Sequence, residues 1–435
     1  MASPVSDAGS AAITAAPAVV PFVAAEEAKG AEPRDALVVD LYRSFADLAP
    51  FRAEWDDFME AIGAEIFLTH DWLATWWKYY GKDRPLLIAC MRHRGALIAA
   101  LPLYLDRISL GAFSLRVIRI VGSIYMPVTL TLPVQRSRLA EALPRLIAVV
   151  SDEWRWDLIH LGVLSGKCEV IPQIRDALAS CHPLVEEPVI RQTGVQTYFD
   201  LEADWDAYVA RLNKSKRKRL KNCLKEITKN NYVVSSHLSG AEDFSVHFEA
   251  FHRQHQDHWR DRGLPGHFRD WPDAYAFHRE VAATSLNRDR LRLLAIHVNG
   301  KIAGYEYMYK FAQTYNSFLG SRGPLDEKKG ITYGRVAFYQ KYILAMRDNV
   351  NCIDSMRGHY PHKVELGGHE KPTHDVLVLN RRRHTTAKAK LAMRLFRLID
   401  VLYAKLWRRR IAPRLGVLPG CPPDLWLRTH PLAHR

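Results

Sequence analysis

The feature that most constrains this chain is a two-residue turn set between two apolar, β-rich runs, and it occurs twice. Residues 291–311 read LRLLAIHV, a turn at Asn299-Gly300, then KIAGYEYMYKF. Asn-Gly suits that place because a tight hairpin turn needs positive φ at both central positions. Residues 86–105 read the same way, LLIACMRH and ALIAALPLYL around Arg94-Gly95. After each hairpin the pattern gives a further strand (Arg116 to Val121; Thr314 to Gly320), a helix (Ser137 to Glu153; Gly334 to Asp348) and another strand (Trp156 to Val163; Cys352 to Met356). Helices with aromatic faces precede each set: Phe45 to Ile62 with Thr69 to Tyr80, and Phe244 to Trp259 with Trp271 to Leu286. The residues barely repeat, but the pattern does. It predicts an α+β chain of two tandem lobes of like topology, each a mixed, mainly antiparallel sheet flanked by helices.

The rest of the chain is divided by composition. Residues 1–35 are an Ala/Pro-rich leader expected to be disordered, 36–195 the first lobe and 196–380 the second. Residues 381–411 form a basic helix and 412–435 a Pro-rich flexible tail. Pro17 and Pro21 interrupt the apolar part of the leader and no Lys or Arg precedes it, which argues against a secretory signal. No apolar run approaches the roughly 18 residues that span a bilayer. The six cysteines are scattered, without C-x-x-C or framework spacing, as expected of a cytoplasmic, reducing setting. A net charge of +14 calls for a polyanionic partner, and much of it falls in residues 211–229 and 381–414.

The most informative stretch is GSRGPLDEKKGITYGRVAFYQKYILAM, residues 320–346. A strand runs into a loop with Gly323, Gly330 and Gly334 and then into a helix. Such a loop aims unpaired backbone N–H groups at one point, where the helix dipole adds positive charge; together they bind phosphate. Lys328, Lys329 and Arg335 reinforce anion capture, while plain turn chemistry is the bland alternative. Neither G-x-x-x-x-G-K-[ST] nor a strand followed by G-x-G-x-x-G is present, so nucleotide hydrolysis and Rossmann cofactors have no support. His252, His255 and His258 do not share one helical face and no H-E-x-x-H occurs, so no metal is expected. Residues 211–229 hold nine Lys/Arg against one Glu, with Leu220, Leu224 and Ile227 at helical spacing. The bland reading is a surface helix; the functional one is a phosphate-bearing ligand, since the aromatics that stack single-stranded nucleic acid are absent. In the last helix Leu391, Leu395, Leu398, Leu402 and Leu406 share a face, and Lys388, Lys390, Arg394, Arg397, Lys405 and Arg408 to Arg410 carry the charge. That pattern over 386–410 fits a helix lying on anionic lipid, at the inner face of a membrane, and equally one docked on the protein's own core.

The element order resembles that of the GNAT acyltransferases. The segment IDSMRGHYPHKVELGG (353–368) is similar to a block of the CelD/BcsL-like acetyltransferases of cellulose and exopolysaccharide biosynthesis, with Asp354, Arg357, Gly358 and Lys363 at matching positions. HRQHQDHWRDRG (252–263), with Trp259, Arg262 and Gly263, and FLTHDWLATWWKYYG (67–81) look similar too. His359 and Tyr360 depart from the acidic residues usual after R-G, and His362 from the aromatic usual before the lysine. The resemblance implies acyl-CoA, acetyl-CoA first, as co-substrate, an amine acceptor, and a second, catalytic lobe beside a degenerate first one. It implies a thioester polarised by backbone N–H of Asn316, Phe318 and Gly320, with Lys329, Gly330, Thr332, Gly334 and Arg335 on the cofactor. Glu306, Asp354 and His359 are candidates for the base that deprotonates the amine, and Tyr360 for protonating the departing thiolate. Trp259, Arg262, Arg357, Lys363 and Arg217 are candidates for the acceptor, a small-molecule or lipid-linked amine of an envelope polysaccharide or lipid precursor. Two other expectations stay open: a Fem-type transferase using aminoacyl-tRNA, and a non-catalytic accessory of polysaccharide synthesis at the membrane surface.

Overall fold

Both turns take the conformation their sequences ask for. Arg94 and Gly95 lie at φ +51° and +80°, Asn299 and Gly300 at +51° and +75°, which is the mirror-image turn that closes two-residue hairpins. The registers His93 opposite Ala96 and Val298 opposite Lys301 follow directly. The computed structural model describes residues 37–417 apart from 111–112, 126–127, 168, 182–183, 187, 265, 270 and 324–330. The expected leader, most of the tail, Lys328, Lys329 and Gly330 therefore lie outside the described residues.

Twelve strands form one sheet. In chain order they are β1 (Leu37–Tyr42), β2 (Leu86–His93), β3 (Ala96–Leu110), β4 (Phe113–Ile120), β5 (Leu158–Leu164) and β6 (Val189–Asp200). There follow β7 (Val234–Leu238), β8 (Leu291–Val298), β9 (Lys301–Phe311), β10 (Thr314–Arg322), β11 (Cys352–Arg357) and β12 (His369–Leu379). The spatial order is β1-β2-β3-β4-β5-β12-β6-β11-β10-β9-β8-β7. Read from either edge, it passes through an antiparallel meander, a parallel pair, and one antiparallel strand at the centre. The central strands are exchanged. β6, which follows β5 in the chain, completes the second lobe beside β11, and β12, which follows β11, completes the first beside β5. The boundary expected between residues 195 and 196 falls inside β6, because the two lobes share their middle strands.

Helices cover both faces, and the largest apolar core is continuous across the lobes. Trp72 at the start of the helix His70–Tyr80 packs edge-on against Phe277, Tyr309 and Phe318 of the second lobe. The helix expected over 205–229 is two, Trp205–Arg211 and Lys214–Lys229. Asn213 breaks the run by capping the second, its side chain accepting from Lys216 N at 3.0 Å.

Candidate active site

The site forms where β10 and β11 part. They pair in parallel only from Thr314–Cys352 to Asn316–Asp354. Beyond that point a bulge between Ser317 and Leu319 shifts the β9–β10 register, and a second between Asp354 and Arg357 shifts β11 against β6. Each bulge bends its strand, and the strands splay. Met356 takes φ +63° inside the second irregularity.

At the apex of the splay Asp354 is fully buried. It accepts from Gln196 Nε2 at 2.6 Å, Met356 N at 2.9 Å and Asn316 Nδ2 at 3.4 Å, so one carboxylate ties β6, β10 and β11 together. Burial holds its carboxyl above the usual range, against the opposing pull of those bonds. Gln196 continues the chain to Thr129 of the first lobe at 2.7 Å.

Beyond the apex a cavity of about 680 Å³ opens between β10, β11, the helix Phe244–Arg260 and the N-terminus of the helix Tyr333–Arg347. Its wall gathers many of the expected residues: Glu306, Tyr360, Phe318, Gly320, Thr332, Gly334, Arg335, Trp259, Arg357 and Lys363. Six cations face it (Arg219, Arg322, Arg335, Lys341, Arg357, Lys363) against the carboxylates Glu306 and Glu365. Both carboxylates are ion-paired, Glu306 with Lys341 at 2.9 Å and Glu365 with Arg219 at 2.9 Å. The cavity is therefore strongly cationic. A Cβ placed on Gly334 meets no atom within 4 Å, and its amide has no acceptor among the described residues, whereas Arg335 N already bonds Thr332 O at 3.1 Å.

Other side chains set the local chemistry. Glu306 also accepts from Tyr333 Oη at 3.2 Å. His255 donates from Nδ1 to Gly320 O at 3.0 Å, which leaves its Nε2 to accept from His267 Nδ1 at 3.1 Å. Its burial, aided by His267, pushes its pKa down to about 3, so the ring is neutral. Burial, reinforced by Lys363 and Lys341, also lowers His362, leaving a neutral imidazole on the cavity wall. Lys363 donates to Ser355 O and lies 4.5 Å from the Tyr360 ring centroid; burial pushes its ammonium down to about 8. Tyr360 is raised by burial and stays protonated at neutral pH.

Several expected site residues stand elsewhere. Asp354 is buried at the apex and does not line the cavity. The His359 side chain is 66% exposed and paired with Glu370 at 2.8 Å. Asn316 is buried at the apex, its Oδ1 without a partner among the described residues. Arg262 folds back on the His258 carbonyl at 2.8 Å. Arg217 bonds the carbonyls of Ala210 and Leu212 at 2.8 and 3.0 Å, bracing the break between the two helices. Sequence reasoning missed His362, Lys341 and Arg322. Their signal was spacing: Lys341 lies two turns into the helix whose start the glycines mark. Away from the cavity, His237, Asp243 and His247 bring possible metal ligands within 4.8 Å. His237 Nε2 and Asp243 Oδ2 stand 2.5 Å apart, in direct hydrogen-bond contact.

Comparison with known proteins gives a family match within the second lobe and a fold likeness over most of the chain. Residues 214–364 match the family model described as Acetyltransferase (GNAT) domain. The match spans the second lobe from the helix Lys214–Lys229 to the helix Pro361–Glu365. The crystal structure of FemX, 10% identical, superposes with a TM-score of 0.54 over 75% of this chain and 95% of that one. A tandem GNAT protein from the clavulanic acid biosynthesis pathway (12% identity, 79% and 98% covered) gives 0.40. L-PGS from Bacillus licheniformis (10% identity, 79% and 95% covered) gives 0.42. No curated protein matches by sequence. The fold is that of tandem GNAT-like lobes, with the second lobe carrying the GNAT match.

The first lobe has the same parallel pair without the cleft. β4 and β5 pair only from Val117–Leu158 to Arg119–His160. Beyond that, the edge of β5 is taken by the chain itself: Leu130 N donates to Val163 O at 3.0 Å, and Ser165 N to Leu130 O at 2.9 Å. Val128, Thr129, Leu130, Leu132 and Val134 are buried there. What is a groove in the second lobe is filled in the first.

Proposed function

We propose that the chain transfers an acyl group from acyl-CoA, acetyl-CoA first, to an amine of an envelope polysaccharide or lipid precursor, in the manner of the CelD/BcsL-like acetyltransferases. The observation that carries this reading is the splay of β10 from β11 opening onto a cationic cavity at a helix N-terminus whose Gly334 is unobstructed. A diphosphate suits that terminus, because the Gly334 amide, the helix dipole and Arg335 all favour anions. The thioester carbonyl lies along the splayed β10 between Ser317 and Gly320. The amine nitrogen attacks that carbon, His362 or Glu306 takes the proton the nitrogen sheds, and the C–S bond breaks. Tyr360 supplies a proton to the departing thiolate, giving an amide and free CoA. Of the two bases, His362 is the readier, because its imidazole is neutral and Glu306 is held by Lys341 and Tyr333. Lys363 and Arg357 hold the acceptor's polar groups.

Calorimetric titration with acetyl-CoA and longer acyl-CoAs tests this. Micromolar binding is expected, weakened at least tenfold in Gly334→Val, whose side chain enters the space left for the donor. No binding at millimolar ligand would remove the reading.

A second reading, with aminoacyl-tRNA as donor, draws support from one feature. The helix Lys214–Lys229 carries an exposed row of Lys and Arg, and its Arg219 and Leu220 reach the cavity wall. Steeply salt-dependent tRNA binding without acyl-CoA binding would select it.

A further inference from the structure

The helix Arg383–Val401 packs on the sheet by one narrow face and runs on into a π-helical continuation, Leu402–Ile411. Ala389, Ala392, Met393 and Phe396 lie against Ile108, Leu115, Val117, Leu158, Leu377 and Leu379, and Lys388 pairs with buried Asp157 at 2.8 Å. Those contacts fix which way the rest of the helix turns. Leu391, Leu395, Leu398, Leu402 and Leu406 point outward, with 37–54% of their surfaces exposed. Leu415 and Val417 extend the apolar strip, so seven of the fourteen large hydrophobics exposed among the described residues fall within residues 391–417. Single exposed hydrophobics are ordinary; five leucines along one face of one helix are not. Lys390, Arg394, Arg397, Lys405, Arg409, Arg410 and Arg414 are exposed along the same stretch. A second protein chain or a folded-back segment would satisfy the leucines, but neither needs this concentration of cations. An anionic bilayer surface needs both.

We propose that this outward face is a lipid-docking surface. Its leucines would sit at the level of the acyl-chain boundary, with the cations among the headgroups of acidic lipids. Among the described residues no helix is long and apolar enough to cross a membrane, so the contact is one of lying on the surface. The helix packs against Leu377 and Leu379 at one end of β12, while His369 and Glu370 at the other end neighbour the active-site turn. At about 3.3 Å per residue, the eleven residues of β12 separate the two by roughly 30 Å. The surface therefore stands apart from the cavity, and the proposal does not depend on which donor the cavity takes.

Flotation of the full chain with phosphatidylcholine vesicles, with and without phosphatidylglycerol, tests it. Binding is expected only with the acidic lipid, falling as salt is raised. In Leu395→Glu/Leu398→Glu it should fall at least tenfold, and in Arg394→Glu/Arg397→Glu likewise, with thermal unfolding and acyl-CoA binding unchanged because these side chains touch neither core nor cavity. Absence of flotation at low salt overturns the proposal. So does vesicle binding undiminished in the leucine variant. Concentration-dependent self-association that the leucine variant abolishes, with no vesicle binding, would assign the strip to a second copy of the chain instead.

Discussion

Lys363 shows how much a single side chain owes to its surroundings. Burial costs its charged form hydration, and the depression of its ammonium to about 8 follows. The cation is present below that pH and lost above it, so the cavity is less cationic at pH 9 than at pH 7. Binding of a polyanionic donor should weaken across that interval by about threefold, because Lys363, held on the acceptor side, acts on the donor through its field and not by direct contact. Calorimetry with acetyl-CoA at pH 7 and 9 checks this: Lys363→Met should bind weakly at both values, and Lys363→Arg should keep its affinity at both. The neighbouring residues mark the limit of reading a motif by eye. Arg357, Tyr360 and Lys363 were named through the resemblance of their block and do stand on the cavity wall, whereas His359 turns outward and His362 inward. His362 is carried by the helix Pro361–Glu365, which lines the cavity, while His359 precedes that helix and is drawn to Glu370 of β12. A local run of sequence does not say where such a short helix begins.

At the scale of elements, the helices Phe244–Arg260 and Ala274–Leu286 were legible from their aromatic faces, but not what their histidines do. His255 and His278 are each 1% exposed among rings, and burial pushes both down to about 3. In the unfolded chain each titrates near its ordinary value, so below about pH 6.5 the unfolded state binds more protons than the folded one. Stability should therefore fall with pH, by about 1.4 kcal/mol per unit for each histidine. Chemical denaturation between pH 7 and 5 measures this, and His278→Phe, which keeps the ring in its apolar nest, should remove one histidine's share of the slope, about 1.4 kcal/mol per unit. The last helix gave a different lesson. Its leucine stripe was plain in the sequence and left lipid and core equally open as what it meets, while the small residues Ala389 and Ala392 make the close approach to the sheet. Periodicity finds an apolar stripe without saying what it meets.

At the scale of the whole molecule, two lobes could be read from the repeated hairpins, while the exchange of β6 and β12 could not. Strand patterning tells which face is buried and is silent on which neighbour a strand chooses. Nor could it show that residues 128–134 close the first lobe's groove, since a buried segment without regular structure carries no period. The exchange makes a firm prediction. A fragment of residues 196–380 contains the whole GNAT match but leaves the β5-facing edge of β12, with Val376 to Leu379, unpaired. Such an edge aggregates, so the fragment should accumulate as insoluble protein. Co-expression with residues 37–195 should return it to solution, as judged by sedimentation of the lysate.

The same exchange sets a timetable for synthesis. β5 leaves the ribosome about two hundred residues ahead of β12, and at 5–20 residues per second that is roughly ten to forty seconds of translation. Throughout that interval the nascent first lobe has a finished hydrophobic sheet with one side open, and its last strand has yet to be made. A chaperone that shields strand edges would meet its client in that window.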